Sequence, residues 1–143
     1  MTTISKTALV HYSPEQMFKL VDDIEAYPEF LPWCGKATEL SRAENMVEAS
    51  LFISHSGLNK EFTTQNKNTA FSKIQMHLVN GPFKKLDGVW LFESLGDEAC
   101  KVSLNLEFEF SSKIISLTLG PIFSKIANSL VDAFIKRADT VYG

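Results

Sequence analysis

The sequence predicts an α+β fold in which one curved antiparallel sheet of six to seven strands wraps a long C-terminal helix. Three observations carry this expectation. Cys100 to Phe110 alternates strictly: Cys100, Val102, Leu104, Leu106, Phe108 and Phe110 point one way, and Lys101, Ser103, Asn105, Glu107 and Glu109 the other. That period of two describes a strand with one dry and one wet face. Before it, from Gly35 onward, strand-like segments alternate with turn residues. After it, a long helical stretch runs from about Ser112 to Tyr142.

The elements follow in order. Thr2 to Val10 reads as a strand, with Ile4, Ala8 and Val10 alternating with polar or small residues. Ser13-Pro14-Glu15-Gln16 is a helix start, with Ser13 as N-cap, Pro14 at the first helical position and Gln16 three residues on. Met17, Phe18, Leu20, Val21 and Ile24 give that helix its apolar face. Tyr27 to Cys34 carries Pro28 and Pro32, so a short aromatic turn is expected there in place of regular helix. Six strands come next: Lys36–Ser41, Val47–His55, Asn59–Asn68, Ser72–Val79, Leu86–Glu93 and Ala99–Phe110. Their joints, Ala43-Glu44-Asn45, Ser56-Gly57, Thr69-Ala70, Asn80-Gly81-Pro82 and Gly96-Asp97-Glu98, have hairpin chemistry. Val47, Ala49, Leu51 and Ile53 form one apolar stripe, and Ile74, Met76 and Leu78 another. Leu86, Gly88, Trp90 and Phe92 avoid charge. A register slip of one residue would turn Glu48 and Glu61 inward.

The terminal helix is apolar nearly all round at its start, through Ile114, Ile115, Leu117, Leu119, Ile122 and Phe123. Ile126, Leu130, Ala133, Phe134 and Val141 then trace a stripe at helical spacing. Gly120-Pro121 interrupts the stretch, and a kink or break is expected there.

A chain of 143 residues with 45% hydrophobic residues and 11 Phe reads as one domain, residues 1–143, with a large core or a greasy cavity. A net charge of −3 argues against a broad nucleic-acid surface, so no DNA partner is expected. Cys34 and Cys100 are far apart in sequence and read as buried free thiols. There is no signal peptide or Arg-rich presequence, and no membrane span is expected, which together read as a cytoplasmic protein.

The chain resembles the START-like, helix-grip superfamily. Within it, it is similar to the branch that holds the bacterial ribosome-association toxins of the RatA family and the mitochondrial coenzyme-Q-binding proteins. The residues that carry the resemblance are Ile4-Ser5-Lys6-Thr7, the proline-framed Tyr27 to Cys34, Asn80-Gly81-Pro82-Phe83-Lys84-Lys85-Leu86 with Gly88 and Trp90, and Leu106-Glu107-Phe108-Glu109-Phe110. The resemblance implies a cavity between sheet and helix, with ubiquinone or another polyprenyl lipid as guest and respiration as context. As a second reading it implies docking on the large ribosomal subunit, which an exposed basic and aromatic patch would serve.

Residues able to do chemistry are scattered. His11, His55 and His77 have no metal spacing, and Ser54, Ser56 and Ser94 have no base placed beside them. No catalytic or metal site is expected, although the superfamily includes cyclases. The expected cavity wall is Trp90, Phe92, Leu104, Leu106 and Phe108 from the sheet. Ile122, Phe123, Ile126, Leu130 and Phe134 close it from the helix, and Tyr27, Phe30, Leu31 and Trp33 form a lid. Burying a polyprenyl chain there is worth about 0.8 kcal/mol per methylene. Lys84 and Lys85 beside Phe83 are the candidate ribosome contacts, joined by Lys60 and Lys67. The first expectation is a non-enzymatic carrier of a hydrophobic molecule, and the second a ribosome-directed inhibitor.

Overall fold

The structure, a computed structural model, describes residues 1–55 and 57–143. Ser56, named above as a turn residue and a candidate hydroxyl, lies outside the described residues. The elements are β1 (Thr2–Val10), α1 (Pro14–Asp22), a 3-10 turn (Ile24–Glu29), β2 (Cys34–Arg42), β3 (Met46–His55), β4 (Leu58–Thr69), β5 (Lys73–Asn80), β6 (Phe83–Ser94), β7 (Cys100–Phe110) and α2 (Lys113–Tyr142). The seven strands form one antiparallel sheet in the order β1-β7-β6-β5-β4-β3-β2. Strands β2 to β7 are joined as a meander, and β1 returns to pair with β7, Thr2 opposite Phe108. The helix-grip expectation holds: the sheet curls round α2.

Local chemistry sets the elements as read. The Ser13 hydroxyl accepts from the Gln16 amide at 3.1 Å, and the Gln16 side chain accepts from the Ser13 amide at 2.9 Å, closing the capping box that starts α1. The alternation in β7 is real: Cys100, Val102, Leu104, Leu106 and Phe108 are all buried. Strand β6 begins at Phe83, three residues before the expected start. Gly81 makes this possible. Its φ is +153°, and a Cβ there would lie 2.6 Å from the Phe62 Cβ, so the β5–β6 turn sits directly on β4.

One expectation needs correction. Helix α2 is unbroken through Gly120-Pro121. Pro121 is itself exposed, and the missing amide bond belongs to the carbonyl of Leu117, a residue 70% exposed, so the lost bond falls on the solvent side. Helix α2 is long and apolar enough to cross a membrane by length and composition alone, as a core helix can be; here it packs against β7 and β1. The β3–β4 register does not slip: Glu48 pairs with Gln65 and Phe52 with Glu61, all on the outer face. Phe62, Thr64 and Asn66 face inward and are buried.

Two aromatic clusters fill the interior. Phe123 of α2 centres one, 4.8 Å from Phe108, 5.0 Å from Phe83 and 6.2 Å from Phe62. Phe134, farther along α2, centres the other, 5.4 Å from Tyr27, 5.3 Å from Phe30 and 5.3 Å from Trp90.

Candidate functional site

Between the two clusters lies an apolar cavity of about 80 Å³. Its floor is Leu51 and Ala49 of β3, Phe62, Thr64 and Asn66 of β4, Met76 of β5, Leu86 and Trp90 of β6 and Leu106 of β7. Its roof is Phe123, Ile126, Ala127, Leu130 and Phe134 of α2, and Ile24, Tyr27 and Trp33 close one side. Gly88 shapes the floor. It pairs with Met76 on β5 and Leu106 on β7. A Cβ there would lie 2.7 Å from Met76 Cε and 2.9 Å from Leu106 Cδ1, so the missing side chain lets those two meet across β6.

Eight expected wall residues line this cavity: Tyr27, Trp33, Trp90, Leu106, Phe123, Ile126, Leu130 and Phe134. Six do not. Leu104 and Phe108 flank Leu106 on β7 and are taken up by the two clusters, Leu104 by that of Phe134 and Phe108 by that of Phe123. Phe92 packs on Phe18 of α1 at 5.8 Å, and Phe30 packs on Phe134 with Arg137 4.9 Å above its ring. Leu31 is buried in the Phe123 cluster. Ile122 lines a separate surface cleft of about 310 Å³, together with Pro32, Trp33, His55, Lys125, Ile126 and Ser129. The cavity is displaced toward β3–β6, because the sheet curls away from α2 there.

Thr64 and Asn66 are the polar members of the wall, 7% and 8% exposed. The Thr64 hydroxyl donates to Asn66 Oδ1 at 3.0 Å. This satisfies the amide oxygen and leaves Asn66 Nδ2 without an acceptor among the described residues. Sequence reasoning set Glu61 outward but named no inward residues on β4. Its Phe62-x-Thr64-x-Asn66 alternation is the signal that places both polar groups on the Phe62 side. The cavity therefore sets a few polar groups in an apolar wall, the ordinary plan of a ligand site. Its size limits what it holds as it stands to a small guest.

The titratable groups around the site are kept neutral. Burial, and then the nearby Asp22 charge, pushes the Tyr27 phenol well above its ordinary range, and its hydroxyl donates to the Val21 carbonyl. Burial raises the Cys34 thiol and pushes Cys100 up to about 11. Neither cysteine is a ready thiolate. Among the described residues, no group of three or more His, Cys, Asp or Glu is arranged to hold a metal ion.

The expected docking patch comes apart in part. Phe83 is 5% exposed, inside the Phe123 cluster, because the register shift between Phe83 and Lys85 turns it inward. Lys84 and Lys85 are exposed but partnered: Lys84 lies 3.5 Å from Glu109, and Lys85 3.2 Å from Glu107 and 3.8 Å from Asp87. Antiparallel β4 carries Lys60 near the β3–β4 turn and Lys67 at its far end, opposite Met46, so Lys67 does not join them.

The sequence and the fold match known proteins over the whole chain. The profile described as polyketide cyclase / dehydrase and lipid transport covers residues 10–135. The chain belongs to that family. A Vibrio cholerae serotype O1 relative named "Ribosome association toxin RatA" is 50% identical over 143 residues, covering 100% of this chain and 99% of the relative. A Xenopus laevis relative named "Coenzyme Q-binding protein COQ10 homolog B, mitochondrial" is 26% identical over 143 residues, covering 97% of this chain and 59% of the relative. The crystal structure of TTHA0849 from Thermus thermophilus superposes with a TM-score of 0.84 at 17% identity, covering 99% and 100% of the two chains, a likeness of fold.

Proposed function

We propose that this chain is a ribosome-associating protein of the RatA type, acting by binding and not by catalysis. The observation that carries this reading is the 50% identity to a relative of that name, which runs from end to end of both chains. It reverses the order of the sequence-based expectation, which put the ubiquinone carrier first. The raised thiols support a role without covalent chemistry. Lys84 and Lys85 are weak anchors for RNA while Glu107 and Glu109 answer them, so their part in docking is small. Sucrose-gradient co-sedimentation with ribosomal subunits tests the reading. The wild type should travel with the large subunit, and the Lys84→Glu, Lys85→Glu double variant should lose at most a few-fold in affinity. A wild-type protein that stays at the top of the gradient sinks the proposal.

A second reading, a carrier of an apolar molecule with a carbonyl-bearing head, is favoured by one feature: the free Asn66 amide in an apolar wall. The present cavity is too small for a polyprenyl chain, so this reading requires the grip to open. Organic extraction of detergent-free protein should then release a stoichiometric lipid, and an empty extract counts against it.

A further inference from the structure

One end of the sheet gathers lysines, and several of them stand without an acidic partner among the described residues. The β3–β4 and β5–β6 turns, the start of β2 and the start of α2 share one end of the sheet. The segments that build that end, residues 30–38, 49–60, 78–86 and 110–131, contain Lys36, Lys60, Lys84, Lys85, Lys113 and Lys125 and not one Asp or Glu. Glu109, Glu107 and Asp87 border that end and answer Lys84 and Lys85. Lys60, Lys113 and Lys125 make no ion pair among the described residues.

The same end carries unspent apolar surface. Only 28% of the most apolar 18-residue window of α2 is buried. Ile114, Leu117, Thr118, Pro121, Lys125 and Asn128 follow one another at helical spacing and are all exposed, Ile114 by 75% and Leu117 by 70%. At about 1.5 Å per residue this stripe is ~21 Å long. It stops at Asp132, the first acid on the helix. The surface cleft between Pro32, His55 and Lys125 opens beside it and shares Trp33 and Ile126 with the inner cavity, so those two side chains form the partition between them.

We infer that this end docks on an anionic lipid bilayer, with Ile114 and Leu117 entering the boundary between headgroups and acyl chains and Lys113 and Lys125 meeting lipid phosphates. This goes beyond ribosome association. Charge complementarity fits any polyanion, and the aliphatic residues decide between them. A phosphate backbone gives isoleucine and leucine no partner, and single-stranded nucleic acid is held on aromatic platforms. The exposed aromatic residues, Phe71 and Tyr142, lie at the opposite end. An apolar stripe flanked by lysine is the surface of a helix that lies in a membrane interface. Docked so, the cleft and its Trp33–Ile126 partition face the lipid.

The test is sedimentation of the full chain with vesicles of phosphatidylcholine alone and of phosphatidylcholine mixed with phosphatidylglycerol. The wild type should bind the mixed vesicles more tightly. Leu117→Ser and Ile114→Ser should each weaken binding on the order of tenfold, and Lys113→Glu with Lys125→Glu on the order of tenfold or more. Leu9→Ser removes an equally exposed aliphatic residue, 72% exposed, at the other end of the sheet, and should change nothing. All of these sites are on the surface, and thermal melts matching the wild type confirm that the variants are folded. No binding to mixed vesicles overturns the inference. So does binding that is indifferent to Leu117→Ser. A lysine variant that leaves ribosomes while Leu117→Ser still binds vesicles like the wild type makes this end an RNA face and overturns it as well.

Discussion

The two ends of α2 are held in opposite ways. At its C-terminal end the helix is pinned by polar groups: Tyr142 donates to the Gln16 carbonyl at 3.1 Å, Tyr12 to Asp139 at 2.5 Å, and Arg137 reaches Glu29 at 3.3 Å. Nearby, Arg42 clamps Asp22 at 3.0 Å while also bonding Glu39, and Asn68 donates to the same Asp22 at 3.0 Å. At its N-terminal end the hold is aromatic, through Phe123 on Phe108 and Phe83, and the outer surface carries no such network among the described residues. Polar latches fix one position each, whereas apolar contact tolerates sliding. The first arrangement suits an anchor, and the second suits a surface that meets partners.

The contrast can be broken at several strengths. Phe134→Ala removes the ring between Tyr27, Phe30 and Trp90, and should cost about 3–5 kcal/mol in urea unfolding; a loss under about 1 kcal/mol would mean that the pinned end does not depend on its aromatic centre. Gly88→Val forces a branched side chain into the contact of Met76 with Leu106 and should cost about 1–3 kcal/mol. Because Met76 can bend away, an unchanged midpoint would show that the cavity floor yields. Tyr27→Phe is the smallest change. It should lose about 1 kcal/mol at neutral pH with the hydrogen bond to Val21. Its larger signature is in alkali. The folded phenol titrates above its ordinary value of 10, so the stability it contributes is present below pH 10 and is lost as pH rises beyond it. Denaturation midpoints measured above pH 10 should fall more steeply in the wild type than in the variant.

Much of the fold was legible because it rests on short periods. The alternation in β7 and the capping box at Ser13 are local statements, and both hold. The cavity was legible only in outline. Phe92, Leu104 and Phe108 alternate as faithfully as Trp90 and Leu106, and nothing in a period of two says which stretch of the sheet lies under a helix and which curls away from it. Thr64 and Asn66 were missed because polar residues on an inward face read as solvated when no neighbouring strand is in view. Phe83 was misplaced for want of the register shift between Phe83 and Lys85, which a period of two does not announce. Pro121 was read as a break because the rule describes the bond a proline removes and not the side of the helix on which it falls.

The return of β1 to β7 has a consequence in time. Strands β2 to β7 each find a neighbour soon after leaving the ribosome. Thr2 must wait for Phe108. At about 5–20 residues per second, that leaves the first strand without its partner for on the order of ten seconds. During that interval the dry edge of β1, the unpaired side of α1 and the whole concave face are open to whatever is near. The nascent chain is thus exposed at its stickiest surface while still attached to the particle its relatives are named for.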